Sequence, residues 1–319
     1  MIKTSKFNYY IILTLILILF FSINTDAEKK LKVYTSVFPV REAVRNIGGE
    51  KIEVKQVVPS GAEIHGYEPS PREIAALENS DIFFYIGIGL EPWSNRVVDN
   101  LKNSGIKTVR VTEDLKLRKI SEDHNHKEND ENQQREHENY DPHVWLDPNN
   151  MKEMGLKIKE TLIEEDPDNK KFYKDNYQKF TDKLNQLDNE FEENLNSTEN
   201  DFIMVSHAVF GYLGDRYDFE QLSVTGITPH EEPSPGTIAD LVDEAREHNI
   251  KYIFRETLSD PETVNILVEE INLETLPLHP VSGLTESQKE AGEDYFSLMR
   301  KNLENLKKAL GEKENETNN

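Results

Sequence analysis

The chain has 319 residues, 36% of them hydrophobic, with 37 lysines and arginines against 60 aspartates and glutamates and a formal net charge of -23. That length and apolar content suffice for more than one buried core, and the acidic balance argues against nucleic-acid binding. The absence of cysteine excludes thiolate metal sites, redox pairs and cysteine nucleophiles together, so any metal has to be held by imidazole or carboxylate.

Lys3 and Lys6 precede an apolar run from Ile11 to Phe21, and Thr25-Asp26-Ala27 follows as a cleavage context. Residues 1–27 therefore read as an export signal or an uncleaved N-terminal anchor, with no cysteine after the run to carry a lipid. Export places the remaining chain outside the cytoplasm, in a periplasm or at the outer face of the cell membrane.

From Leu31 the pattern is strand, helix, strand: "LKVYTSVFPV" alternates and is β-branched, "REAVRNIGG" is a short helix stopped by Gly48-Gly49, and "KIEVKQVV" alternates again. Helical "SPREIAALENS", the apolar strand run "DIFFYIGIG", a helix around "WSNRVVDNLKNSG" and a strand at "KTVRV" continue it. This is an α/β lobe with a parallel sheet, expected over residues 28–165. Within it "SEDHNHKENDENQQREHEN", residues 121–139, has almost nothing apolar and is expected to be disordered.

Asp166-Pro167 should break the next helical stretch, leaving a long rigid helix over residues 166–197 whose apolar residues, among them Tyr173, Phe180, Leu184 and Phe191, recur at helical spacing. After it the βα alternation restarts with "DFIMVSH", "FEQLSVT", "IKYIFRE" and "LETLPLHP" as strands, giving a second α/β lobe over residues 198–310. Residues 311–319 are expected to fray. The fold expected is two βα lobes with parallel sheets, joined by one long helix, with a site in the cleft between them.

The placement of the histidines locates that site. His65 follows the strand "KIEVKQVV", His207 ends "DFIMVSH", and His279 ends "LETLPLHP". Open α/β sheets bind ligands beyond the carboxyl ends of their strands. His143 lies in "YDPHVWLDP", between two Asp-Pro pairs that favour a held turn over a helix. Any one of these reads as an ordinary hydrogen-bonded histidine; four at binding-edge positions, of nine in the chain, point to a metal site.

The segments "PSGAEIHGYEPSP", "GIGLEPW", "DPHVWLDP", "SHAVFGYLGDRY", "EEPSP" and "GEDYFSLMRKNLENLKKAL" together resemble, in order and spacing, the zinc/manganese-type solute-binding proteins of ABC importers, the periplasmic zinc-binding component above all. The resemblance covers nearly the whole chain after residue 30. It implies one metal ion in the cleft with His65, His143 and His207 as ligands, a His- and acid-rich loop before the second ligand, and an ABC permease with its ATPase as partners. In manganese-favouring relatives the position of His207 holds a glutamate, so the resemblance implies Zn²⁺ as the ion carried, ahead of Mn²⁺. The donor set agrees, since imidazoles without thiolate suit zinc, copper, iron or nickel better than manganese or calcium.

One position departs from the family pattern. Where an acidic fourth ligand is expected in a "Leu-Asp-Pro"-like turn, this chain has Leu278-His279-Pro280. His279 is the expected fourth imidazole, with water the alternative and Glu63, Glu231 and Glu256 as lesser substitutes. The function expected is capture of Zn²⁺ by a monomer and its delivery to an importer, with an extracellular zinc buffer or adhesin as the alternative. A zinc hydrolase is the reading from another class, but the chain lacks H-E-x-x-H, and His124-Asn125-His126 lies in the polar segment. No enzymatic activity is expected.

Overall fold

The computed structural model describes residues 30–120, 140–227, 233–256 and 263–311. The expected signal segment, the His- and acid-rich stretch 121–139, Glu231 and residues 312–319 lie outside them.

The first sheet is built from β1 (Leu31–Thr35), β2 (Ile52–Gln56), β3 (Ile82–Tyr85) and β4 (Lys107–Arg110), all parallel in the order β2-β1-β3-β4. Its connections carry α1 (Phe38–Gly48), α2 (Pro71–Leu77) and α3 (Pro92–Asn103). The strand read as far as Val40 ends at Thr35, and α1 starts at Phe38. Pro39 stands in the first turn of α1, where the missing N–H has no helical partner to lose and the fixed φ suits the helix.

Two helices then lead to the second lobe. α4 (Pro148–Glu165) ends where Asp166-Pro167 breaks it, a 3₁₀ turn spans Pro167–Asn169, and α5 (Lys170–Leu195) runs for 26 residues, about 39 Å at 1.5 Å per residue. The second sheet comprises β5 (Phe202–His207), β6 (Glu220–Thr225), β7 (Tyr252–Arg255) and β8 (Glu274–Pro277), again all parallel, in the order β6-β5-β7-β8. It carries α6 (Gly211–Tyr217), α7 (Pro235–Glu247) and α8 (Thr263–Ile271), followed by α9 (Glu286–Glu290) and α10 (Tyr295–Leu310). The two sheets thus repeat one strand order, with the strand that comes first in sequence lying between the second and the third.

Each sheet packs a local core on one face: Phe83, Trp93, Val97 and Leu101 in the first lobe, Met204, Leu241, Ile253 and Leu267 in the second. The other faces share a single core. It runs from Val33 and Phe84 through the α5 stripe of Tyr173, Phe180, Leu184, Leu187 and Phe191 to Val205, Phe254 and Leu306. A dry core that crosses from lobe to lobe resists wide opening, because parting the lobes would expose it to water.

Candidate metal centre

β2 runs into a loop that carries His65. The Glu63 carboxylate accepts the backbone N–H groups of His65 and Gly66, both at 2.8 Å, and Gly61 N–H donates across the lobe boundary to Leu284 O at 2.8 Å. The loop is therefore held from both sides. Half-buried His65 points its Nε2 to within 3.2 Å of His143 Nε2.

His143 precedes a 3₁₀ turn at Val144–Leu146 and is fully buried. Asp141 Oδ1 accepts both its backbone N–H, at 3.0 Å, and its Nδ1–H, at 2.8 Å. The proton is thereby fixed on Nδ1 and the lone pair of Nε2 faces the cleft. The following residues lock the turn to the second lobe: Trp145 Nε1 donates to Pro280 O and Tyr295 Oη donates to Trp145 O, each at 2.8 Å.

His207 is the last residue of β5. Its Nδ1–H donates to Glu256 Oε1, which also accepts Ser206 Oγ–H at 2.8 Å; Glu256 stands just past β7, the neighbouring strand. His207 Nε2 is buried and has no hydrogen-bond partner. A buried polar nitrogen with nothing to bond is rare and requires an explanation, which a bound ion supplies.

The three rings form a near-equilateral triangle with centroids 5.2, 5.7 and 5.8 Å apart. One ligand atom from each of His65, His143 and His207 falls within 4.8 Å of the others, and this is the one such group among the described residues. Zn–N bonds of roughly 2.0–2.1 Å in a tetrahedron require N···N separations of about 3.3 Å, so small ring movements suffice to close on an ion. The small cavity they line is completed by Glu63, Ile64, Glu256, Pro280 and Ser282. Asp141 and Glu256, both behind a histidine, would offset the +2 charge of an ion held by these rings.

His279, expected as a fourth imidazole, stands outside this group. Its ring is buried beside the turn, where Nδ1 accepts Val281 N–H at 2.9 Å and Nε2 faces Gln288 Oε1 at 3.4 Å. Its backbone is gripped by Asn302, through His279 N–H to Asn302 Oδ1 and Asn302 Nδ2–H to His279 O, each at 2.7 Å. Burial lowers its pKa from 6.5 to about 4, so the ring is neutral near pH 7. It holds Val281, a buried β-branched residue at φ 53, in a conformation such residues seldom adopt. What that turn offers the cavity is Pro280 and Ser282. Of the acids considered as substitutes, Glu63 and Glu256 hold His65 and His207 in place as described.

Sequence reasoning missed the orienting roles of Asp141 and Glu256. In the sequence Asp141 reads as part of an Asp-Pro pair that holds the turn, and Glu256 as a lesser substitute for the fourth ligand; neither reading ties the carboxylate to its histidine.

Comparison with known proteins places residues 33–309 in the family described as zinc-uptake complex component A, periplasmic. The zinc-binding lipoprotein AdcA of Streptococcus pneumoniae is 32% identical over 286 residues, covering 88% of this chain and 56% of that protein, so the chain spans about half the length of this relative. The high-affinity zinc uptake system protein ZnuA of Bacillus subtilis is 31% identical over 281 residues, covering 88% of each. Among solved structures, the Zn(II)-bound ZnuA-like domain of S. pneumoniae AdcA superposes with a TM-score of 0.74 at 30% identity, covering 88% of this chain and 99% of that one. The laminin-binding protein Lmb of Streptococcus agalactiae, described as bifunctional with adhesin and metal-transporting activity, gives a TM-score of 0.76 at 27% identity, over 88% and 100% of the chains.

Proposed function

The chain belongs to the periplasmic zinc-uptake component A family, and on that premise we propose that it captures Zn²⁺ outside the cytoplasm through His65, His143 and His207 and delivers it to the permease of an ABC-type importer. The observation that carries the reading is the convergence of three imidazoles, two of them with Nδ1–H anchored on buried carboxylates and one with a buried Nε2 that has no other partner. A carboxylate behind a histidine raises its basicity and fixes the tautomer, which is what zinc ligation needs.

The division of labour follows the two sheets: residues 28–165 supply His65 and His143, residues 198–310 supply His207, and α5 spans them. Zn²⁺ enters a cleft walled by Ile64 and Pro280, sheds water, and completes its shell with water or a nearby oxygen such as that of Ser282. The shared core and the hydrogen bonds across the cleft favour small rearrangements, so release is driven by docking on the permease rather than by wide hinge opening. The protein acts as a monomer and performs no covalent chemistry.

Metal analysis of protein purified without added metal, followed by competition titration, tests the reading. One tightly held Zn²⁺ per chain is expected, together with loss of zinc-limited growth when the gene is deleted and restoration by the wild type but not by His143→Ala. Preference for Mn²⁺, or no tight ion at all, would remove it. An adhesin role has the support of laminin-binding neighbours of the same fold, and it predicts laminin binding that survives in the His143→Ala variant.

A further inference from the structure

Arg118 lies between Asp141, which holds His143, and α6, and zinc ligation makes no direct use of it. Its backbone N–H donates to Tyr212 Oη at 2.8 Å and its Nε–H donates to Asp215 Oδ2 at 3.0 Å. Both partners are on α6, which begins four residues after His207. Its carbonyl accepts Asp141 N–H at 2.9 Å, and its Nη1 stands 3.9 Å from Asp141 Oδ2. That oxygen is buried and has no hydrogen-bond partner, while Oδ1 of the same carboxylate holds both the backbone and the ring of His143.

The contact is closed by a glycine. A Cβ on Gly211 would lie 2.7 Å from Arg118 Nη1 and 2.8 Å from Asp141 Oδ2, so the start of α6 packs directly on the pair only because position 211 has no side chain. Gly211 does not have a positive φ. Space, not backbone conformation, is the reason for it.

The Arg118–Asp215 bond taken alone is a partly exposed ion pair of little energetic weight. Asp141 differs, since a fully buried carboxylate gripped by one oxygen can still turn about its Cβ–Cγ bond, and the Arg118 guanidinium stands beside its other oxygen. The planar fork of arginine reaches Asp215 with Nε and Asp141 with Nη1 at once, which a lysine cannot do.

We infer that Arg118 is a positioning residue for metal binding: anchored on α6 of the second lobe, it fixes the Asp141 carboxylate and through it aims the His143 ring at His65 and His207. The inference rests on the assignment of these three histidines to zinc.

Its test is zinc affinity by chelator competition, measured beside thermal unfolding of the zinc-free protein, for Arg118→Met, Asp141→Asn, the double variant and Gly211→Ala. Loss of a group behind a metal ligand weakens binding on the order of tenfold or more, and that is expected for Arg118→Met and for Asp141→Asn. The double variant should bind no more weakly than Asp141→Asn alone, because Arg118 acts through Asp141. A general structural defect would instead add. Gly211→Ala keeps every charge and places a better helix former in the first turn of α6, yet it should also weaken zinc binding by wedging the pair apart; it decides the matter if Arg118→Met does not fold. Wild-type affinity in Arg118→Met or Gly211→Ala, or a full additional loss in the double variant, overturns the inference. A wild-type protein that takes up no zinc overturns the zinc reading of the histidines, and this inference with it.

Discussion

Replacing Glu256 with glutamine removes one charge behind His207 while leaving the ligand ring in place. Glu256 is 7% exposed, and a single oxygen accepts both Ser206 Oγ–H and His207 Nδ1–H. A glutamine oxygen can accept the same two bonds, so the loss is chiefly electrostatic. Through the imidazole the carboxylate oxygen would lie about 6.5 Å from the ion, where a −1/+2 attraction amounts to roughly 1.3 kcal/mol at the dielectric constant of water and roughly 5 at an effective 20. The ~10–100-fold loss of affinity usual for such groups, about 1.4–2.7 kcal/mol, falls inside that bracket. Competition titration against a chelator of known affinity, at constant pH and salt, should show a Kd raised by about that factor. The zinc-free protein should unfold at a nearly unchanged temperature. A Kd within about threefold of wild type would refute the reasoning, since it would mean that the carboxylate does not act on the metal through His207.

His65→Ala, His143→Ala and His207→Ala should each weaken zinc binding by about tenfold or more, read by calorimetry, and unchanged binding in any one would remove that residue from the site. Ligation needs neutral imidazole, so protons compete with zinc and occupancy should fall on acidification, and full retention at about pH 4 would contradict a histidine-dominated site. His279 has its own acid signature: its pKa is depressed from 6.5 to about 4 by burial, so the unfolded chain takes up a proton that the folded chain refuses. Stability from this residue is therefore fully present above pH 6.5 and is lost as pH falls toward 4. His279→Gln should flatten the fall of the unfolding midpoint across that window in zinc-free protein, and an unchanged slope would show that the residue does not titrate there.

The alternating and apolar runs made both sheets legible in the sequence, because parallel strands covered on both faces must be β-branched or aromatic, as in "DFIMVSH" and "DIFFYIGIG". The break at Asp166-Pro167 was legible for the same kind of local reason. The start of α1 was not, since Val37, Phe38 and Val40 extend the apolar, β-branched run of β1 and only Pro39 in a first helical turn hints otherwise. Strand-end positions brought His65 and His207 to notice, because the chemistry of a doubly wound sheet gathers at those ends, and the turn between two Asp-Pro pairs did the same for His143. His279 occupies such an end too, yet its ring is satisfied locally by Val281 N–H and Gln288. Side-chain direction in a turn depends on the residues that pack around it, here Asn302 of α10, and no spacing rule reports that. The core shared between the lobes was hidden as well, since the apolar stripe of α5 looks the same whether it faces one sheet or two.

The most direct test of the account is a crystal structure of the zinc-loaded protein with anomalous data collected across the zinc edge. It should show one ion within about 2.0–2.1 Å of a ring nitrogen of each of His65, His143 and His207, with the Nδ1 bonds to Asp141 and Glu256 retained. An ion held elsewhere, or any of these three rings turned away from it, would contradict the account.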